Sequence, residues 1–421
     1  MASTEDPAPS IEATEAAHSP PRELSPILET ESTLEDSTTT FHPDADLKVI
    51  IRGSSDDLTI YMVCASTLAC ASPIWRSMLY RDAAAARDVK DEIKHDQAQA
   101  LELKGDPKAI GLLFYIVHYD FSHVPKEPTL NQLFELGKSA CQYRCTHILY
   151  PWASQWTSGL ANFVTQDDCY SECHKALYVA WTFGEMKLYR DTIDALIVST
   201  KIDLNGRAVN VSGQPLEDML MSRDLLEIIT ETRARTIAKI LDAIKTPIQV
   251  LSSGAQGEHG AYCKVGRDTQ PCEIMMLGSV IPALTKAGLF PVPEPKQFTD
   301  SIANLKDELD KIKTIPYVGK EWMPHMSHEN CNLGFRESVN ECLKEMIVPL
   351  SFSIMSWMSD QAETCGIEAT VELQQWRQNS EESSPKRVDS HDTVGDLEEQ
   401  AEENREVAGI KGPQKESEGE S

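Results

Sequence analysis

Basic residues are scarce: 39 Lys and Arg stand against 66 Asp and Glu, a formal charge of −27, and no basic cluster or stripe occurs anywhere. Gripping a phosphate backbone requires clustered Lys and Arg, so direct binding of nucleic acid is excluded. Long apolar runs are missing as well. Although 41% of the residues are hydrophobic, no run reaches the ~18 residues that a membrane-spanning helix needs. The opening MASTEDPAPS has neither a basic nor an apolar segment, which argues against a secretory signal and predicts residence in cytoplasm or nucleus. Gly-rich phosphate loops, dinucleotide turns, Gly-x-Ser-x-Gly elbows and His-Glu-x-x-His helices are all absent, and with them the enzyme classes they serve. No solenoid or propeller repeat recurs. Disulfides are not expected either: eleven Cys, an odd number and no secretory signal, read as reduced thiols.

What is present is unevenly distributed. Residues 1–44 hold ten acidic residues and one basic, Arg22; residues 380–421 hold thirteen acidic and five basic. Both stretches are poor in aromatics and rich in Ser, Thr, Glu and Pro, too little apolar surface to offset the entropy of ordering a chain. They read as disordered acidic tails over 1–43 and 378–421. Within the second, Ser384 and Pro385 followed by Lys386 and Arg387 read equally as ordinary tail sequence or as a pattern that a proline-directed kinase could use. The remaining length suffices for two or three compact units.

The first unit is mixed α+β. Leu47, Val49 and Ile51 alternate with polar neighbours, as in a half-buried strand; GSSDD is a turn, and LTIYMV a second strand. Thr67 to Ala71 suits a helical turn, and Ser72 an N-cap with Pro73 in the first helical position. Ile74, Trp75, Met78 and Leu79 follow at helical spacing. The polar stretch RDAAAARDVKDEIKHDQAQ reads as a mobile loop, ALELKGD as a third strand, and PKAIGLLFYIVHY, TLNQLFELGKSACQYRC and HILYPWASQWTSGL as three helices.

DADLKVII, TLACASPIWRSML, AIGLLFYIVHY and ELGKSACQYRC with PWASQW, in that order, resemble a BTB (POZ) domain of the fungal type, covering residues 44–158. One departure is Cys64-Ala65, where many members carry His-Lys. The resemblance implies a small sheet flanked by helices and a protein–protein interaction module. It implies homodimerisation through the first strand and helices, with Leu47, Val49, Leu68, Trp75, Met78 and Leu79 as the apolar interface, and an adaptor role toward a cullin-type ubiquitin-ligase scaffold. A nuclear regulator acting through a partner protein is the alternative within that class.

Beyond the first unit the patterns are mainly helical. Residues 165–255 match, by position more than by motif, the BACK-like helical extension that follows many BTB domains. A helical pair breaks near Gly184, and a long periodic segment runs from Pro215 to Pro247 with a break around Ser222 to Asp224. Residues 256–360 form a C-terminal helical region with helices at EIMMLGSVIPALTKAG, SIANLKDELDKIKTI and FRESVNECLKEMIVPLSFSIMSWM.

Cys263, Cys272, His325, His328 and Cys331 are the candidate zinc ligands, being soft or borderline donors on two segments. The gap from Cys263 to Cys272 is wider than that of a zinc knuckle, so ordinary loop residues and a buried thiol are the preferred reading and no cofactor is expected. A zinc hydrolase built on His325, His328 and Cys331 is a reading of another class; no Glu or Asp is placed as its base, and no catalytic residue is assigned. Cys141 with Cys145, and Cys169 with Cys173, read as small apolar groups against a core, and His118 as a satisfied packing residue.

Overall fold

The computed structural model describes residues 38–52, 58–85, 100–161, 163, 169–220, 223–253, 262–266, 268–315, 317–318 and 328–383. The protein is mixed α/β and mostly helical, with two small sheets. Strands β1 (Thr38–Thr40), β2 (Leu47–Arg52) and β3 (Leu58–Val63) come first, followed by helices α1 (Ala65–Ala71) and α2 (Pro73–Ala85), then β4 (Leu101–Lys104). Helices α3 (Pro107–Val117), α4 (Leu130–Gln142) and α5 (Tyr150–Ser158) complete the head. The sheet order is β1-β3-β2-β4; β2 and β3 form an antiparallel hairpin, while β1 runs parallel to β3 and β4 parallel to β2. From Leu47 to Ser158 this is the element order read from the sequence.

Local chemistry sets these boundaries. Ser72 Oγ accepts from the Trp75 N–H at 3.0 Å, the cap that starts α2 behind Pro73. Asp106 caps α3 through the Ala109 N–H at 2.8 Å. Thr129 and Gln132 form a reciprocal capping box on α4. His118 ties the end of β3 to α3: its Nε2 accepts from the Cys64 N–H at 3.0 Å, and its Nδ1 lies 2.8 Å from the Phe114 carbonyl oxygen. Satisfying both places the proton on Nδ1 and leaves the ring neutral.

Burial pushes His118 below its ordinary pKa, with the Phe114 carbonyl opposing and His42 reinforcing the shift; His174 is lowered by burial too. A folded-state pKa below the unfolded one makes the contribution whole above about pH 6.5 and lost as the pH falls through the folded value. The urea midpoint is therefore expected to drop between about pH 7 and pH 5. His118→Gln should flatten that slope. An unchanged slope in the variant would show that the imidazole protonates freely in the folded protein.

Two expectations for the head need correction. Thr38–Thr40, assigned to the N-terminal tail, is a strand, and Phe41 after it packs edge-on against Tyr61 and Phe114 at centroid distances of 5.1 and 5.5 Å. More consequentially, Leu47, Val49, Leu68 and Trp75 are not an interface. Each is buried in the head core, Trp75 at 0% exposure, because the chain's own α3 and α4 close over the sheet. Met78 stays exposed and Leu79 partly so.

The remainder is built from α6 (Cys173–Phe183), α7 (Met186–Ser199), the short antiparallel pair β5 (Lys201–Ile202) and β6 (Ala208–Val209), and α8 (Arg223–Ser253). Then come α9 (Thr269–Lys286), α10 (Ile302–Lys311), α11 (Phe335–Lys344), α12 (Phe352–Cys365) and α13 (Val371–Ser383). Residues from Phe163 to Leu373 share one hydrophobic core, so the boundary expected at residue 256 does not separate two cores. Helix α6 faces both ways: Val179 and Phe183 belong to the head core, Ala176, Leu177 and Ala180 to the helical one. Pro247 does not end α8, since Ile248 and Leu251 beyond it are buried and offset the lost hydrogen bond. The long FRESVN to SWM segment is two helices, parted where Ser351 caps α12. The last turns of α13 extend to Ser383, inside the stretch assigned to the C-terminal tail. Most of both tails, the loop over 86–99, and Ser384 to Arg387 lie outside the described residues.

Candidate functional site

The connection from α8 to α9 and the segment preceding α11 meet in the helical core. Cys263 lies in the connection, and Cys272 in the first turn of α9. Between them the chain reverses through left-handed backbone at Gly266 (φ 73°) and Asp268 (φ 47°). His328 and Cys331 close a turn of their own, with the Cys331 N–H donating to the His328 carbonyl at 2.9 Å. The donor atoms of Cys263, Cys272, His328 and Cys331 all lie within 4.8 Å of one another. His328 Nδ1 is 3.4 Å from Cys263 Sγ and 3.8 Å from Cys331 Sγ.

Four sequence candidates are thus brought together, and the fifth, His325, lies outside the described residues. The reading of ordinary loop residues and a buried thiol did not anticipate this proximity. Its premise was that both cysteines of a zinc site share one tight turn. Here the long gap is spanned by a loop that returns to a helix N-terminus.

The surroundings hold the donors in place. The Lys264 N–H points at Cys331 Sγ at 3.4 Å. Glu273, 1% exposed, accepts the Tyr262 and Cys263 N–H groups through Oε1 at 2.7 and 3.2 Å, fixing the backbone that carries Cys263. Its other oxygen, Oε2, is buried without a hydrogen-bond partner among the described residues. The Tyr317 ring meets His328 edge-on at 5.2 Å, and Thr314 Oγ1 donates to the Cys331 carbonyl at 3.3 Å. Cys272, His328 and Cys331 are buried and Cys263 partly so. Burial, then the proximity of Cys331 and Cys263, raises the Cys272 thiol well above its ordinary range.

Chemically the set is a closed donor sphere of one nitrogen and three sulfurs. Catalytic zinc keeps a position for water beside three protein ligands, whereas structural zinc takes four. A fourth protein donor therefore argues against the hydrolase reading. Among the described residues this is the one group of His, Cys, Asp or Glu so arranged.

Of the remaining cysteines, Cys145, Cys169, Cys173 and Cys365 are buried core groups and Cys141 is partly buried, whereas Cys70 is exposed. Burial raises Cys141 to about 11 and Cys173 to about 12, and Cys145 is raised in the same way. None of the eleven forms a disulfide. Among the described residues no helix is long and apolar enough to cross a membrane. No protein-family model matches this chain, and no curated protein matches it.

Proposed function

We propose that the protein is an interaction module that pairs with a second copy of itself through the outer side of α2, and serves as an adaptor or scaffold. The observation that carries this reading is the composition of α2. From Pro73 to Tyr80 only Arg76 and Ser77 are polar, and Arg76 Nε is tied back to the Ala69 carbonyl at 3.0 Å. Trp75 is consumed by the core, yet Met78 and Tyr80 are 44% and 48% exposed, with Ile74 and Leu79 partly buried beside them. A helix whose apolar residues continue past its core-facing stripe offers surface for a partner to cover. The resemblance to BTB domains supports a second copy as the cover. That resemblance also supports docking of a cullin-type scaffold, with Cys64-Ala65 in place of the family's His-Lys as the departure to keep in view.

Light scattering across a concentration series tests the pairing. The wild-type chain should be dimeric at low micromolar concentration, and Met78→Glu should weaken the dimer at least a hundredfold while leaving the unfolding midpoint near wild type. Trp75→Ala should behave differently, losing about 3–5 kcal/mol of stability because it empties a core site. A wild-type monomer at high micromolar concentration, or a Met78→Glu dimer of unchanged affinity, would defeat the reading.

A further inference from the structure

The geometry points to a zinc ion held by Cys263, Cys272, His328 Nδ1 and Cys331, a closed structural centre that clamps the α8–α9 connection to the segment before α11. This goes beyond the interaction reading and does not depend on it. Tetrahedral zinc, with Zn–S about 2.3 Å and Zn–N about 2.0–2.1 Å, sets edges of about 3.8 Å between sulfurs and about 3.5 Å between sulfur and nitrogen. The two sulfur–nitrogen edges, 3.4 and 3.8 Å, bracket that value. The widest separation in the set, up to 4.8 Å, needs a contraction of about 1 Å to close on the ion. A backbone N–H aimed at Cys331 Sγ supplies the partner that a metal-bound thiolate accepts.

Two further features frame the donor set. Cys272 sits in the first turn of α9, so the helix start holds its position. Glu273 carries a buried carboxyl oxygen with no hydrogen-bond partner among the described residues, on the residue that also anchors the Cys263 backbone. Zinc binding releases the thiol protons, and three thiolates with one neutral imidazole satisfy the ion's preference for sulfur and nitrogen. Nothing is oxidised or reduced. The ion has no free position, so its contribution is to hold two segments far apart in sequence.

The test uses the full-length chain, purified without a metal-binding tag. Elemental analysis should find one zinc per chain that survives gel filtration. X-ray absorption at the zinc edge should give a shell of three sulfurs and one nitrogen, at about 2.3 Å and 2.0–2.1 Å. His328→Asn and Cys331→Ser should each lower zinc content at least tenfold, and Cys365→Ser, a buried thiol outside the cluster, should leave it unchanged. A wild-type protein without zinc, a disulfide among the three cysteines, or a zinc shell lacking sulfur would overturn the assignment. The absorption measurement needs no variant, so a poorly folding substitution cannot mask the answer.

Discussion

Replacing Gly184 with alanine is expected to cost about 3–5 kcal/mol, among the largest losses available from adding one methyl group to this chain. Gly184 ends α6 in left-handed backbone, φ 76° and ψ 24°, with its N–H on the Ala180 carbonyl. That conformation costs an L-residue about 1–2 kcal/mol. The larger part is steric. A Cβ there would lie 2.1 Å from Ala362 N, 2.6 Å from Ala362 Cα and 2.7 Å from the Met358 carbonyl oxygen. All three are backbone atoms of α12, so no rotamer change relieves the overlap; α12 must move away. Its anchors would be lost with it, including the Trp181–Trp357 stack at 4.5 Å and the bond from Trp357 Nε1 to the Trp181 carbonyl at 3.2 Å. Gly206 is the control: its φ is 79°, but nothing lies within 4 Å of its would-be Cβ. Gly206→Ala should therefore cost only the conformational part, about 1 kcal/mol. Urea unfolding followed by tryptophan fluorescence separates the two variants. Equal midpoints would mean that α12 does not rest on the end of α6.

The contrast between these glycines bears on what sequence could reveal. Gly184 was legible as a helix break, because a glycine after an apolar periodic run is a C-cap signal. That a second helix crosses at that point was not, since nothing local encodes the approach of α12. The head followed the same division. Ser72-Pro73, Asp106-Pro107 and Thr129 with Gln132 punctuate its helices, so element order could be read directly. Which apolar residues the chain itself would cover could not. Leu47 and Val49 alternate as a half-buried strand should, and only the closure of α3 and α4 decides that they face the core. Strand β1 escaped notice because three threonines in an acidic, Pro-rich stretch look like tail; they become a strand through pairing with β3. The Cys–His cluster was half visible. His328 and Cys331 lie three apart and share a turn, but joining them to Cys263 and Cys272 required the return of the chain to the start of α9.

Arg233 supplies the second large effect, and its signal was in the sequence. It sits four residues from both Ile229 and Ile237, on the buried stripe of α8, where an isolated cation has no business unless it is bonded. In the structure it is 4% exposed. Its Nε donates to the Thr200 carbonyl at 2.9 Å, and its Nη2 to the Phe298 and Asp300 carbonyls at 3.3 and 2.6 Å. One guanidinium thus joins the end of α7 and the lead into α10 to the middle of α8. Burial lowers its pKa to about 10, with Asp300 opposing, so it stays charged at neutral pH. Arg233→Met keeps the aliphatic stem but strands three carbonyl oxygens in the interior, at about 1–3 kcal/mol for each left unpaired. A loss of about 3–5 kcal/mol is expected, the range for breaking a buried charged contact. Arg233→Lys should recover only part of it, because an ammonium lacks the planar fork that spans carbonyls on two segments. Arg207, paired with Asp203 on the surface at 3.1 Å, offers the comparison: its replacement by Met should cost less than about 1 kcal/mol. Hydrogen exchange adds a local readout. In Arg233→Met, protection should fall first at the Ile202 amide, which donates to the Thr299 carbonyl at 2.8 Å between the two segments that the arginine joins. Retained protection there, with stability within about 1 kcal/mol of wild type, would mean that water reaches those carbonyls and the arginine is not what holds the three elements together.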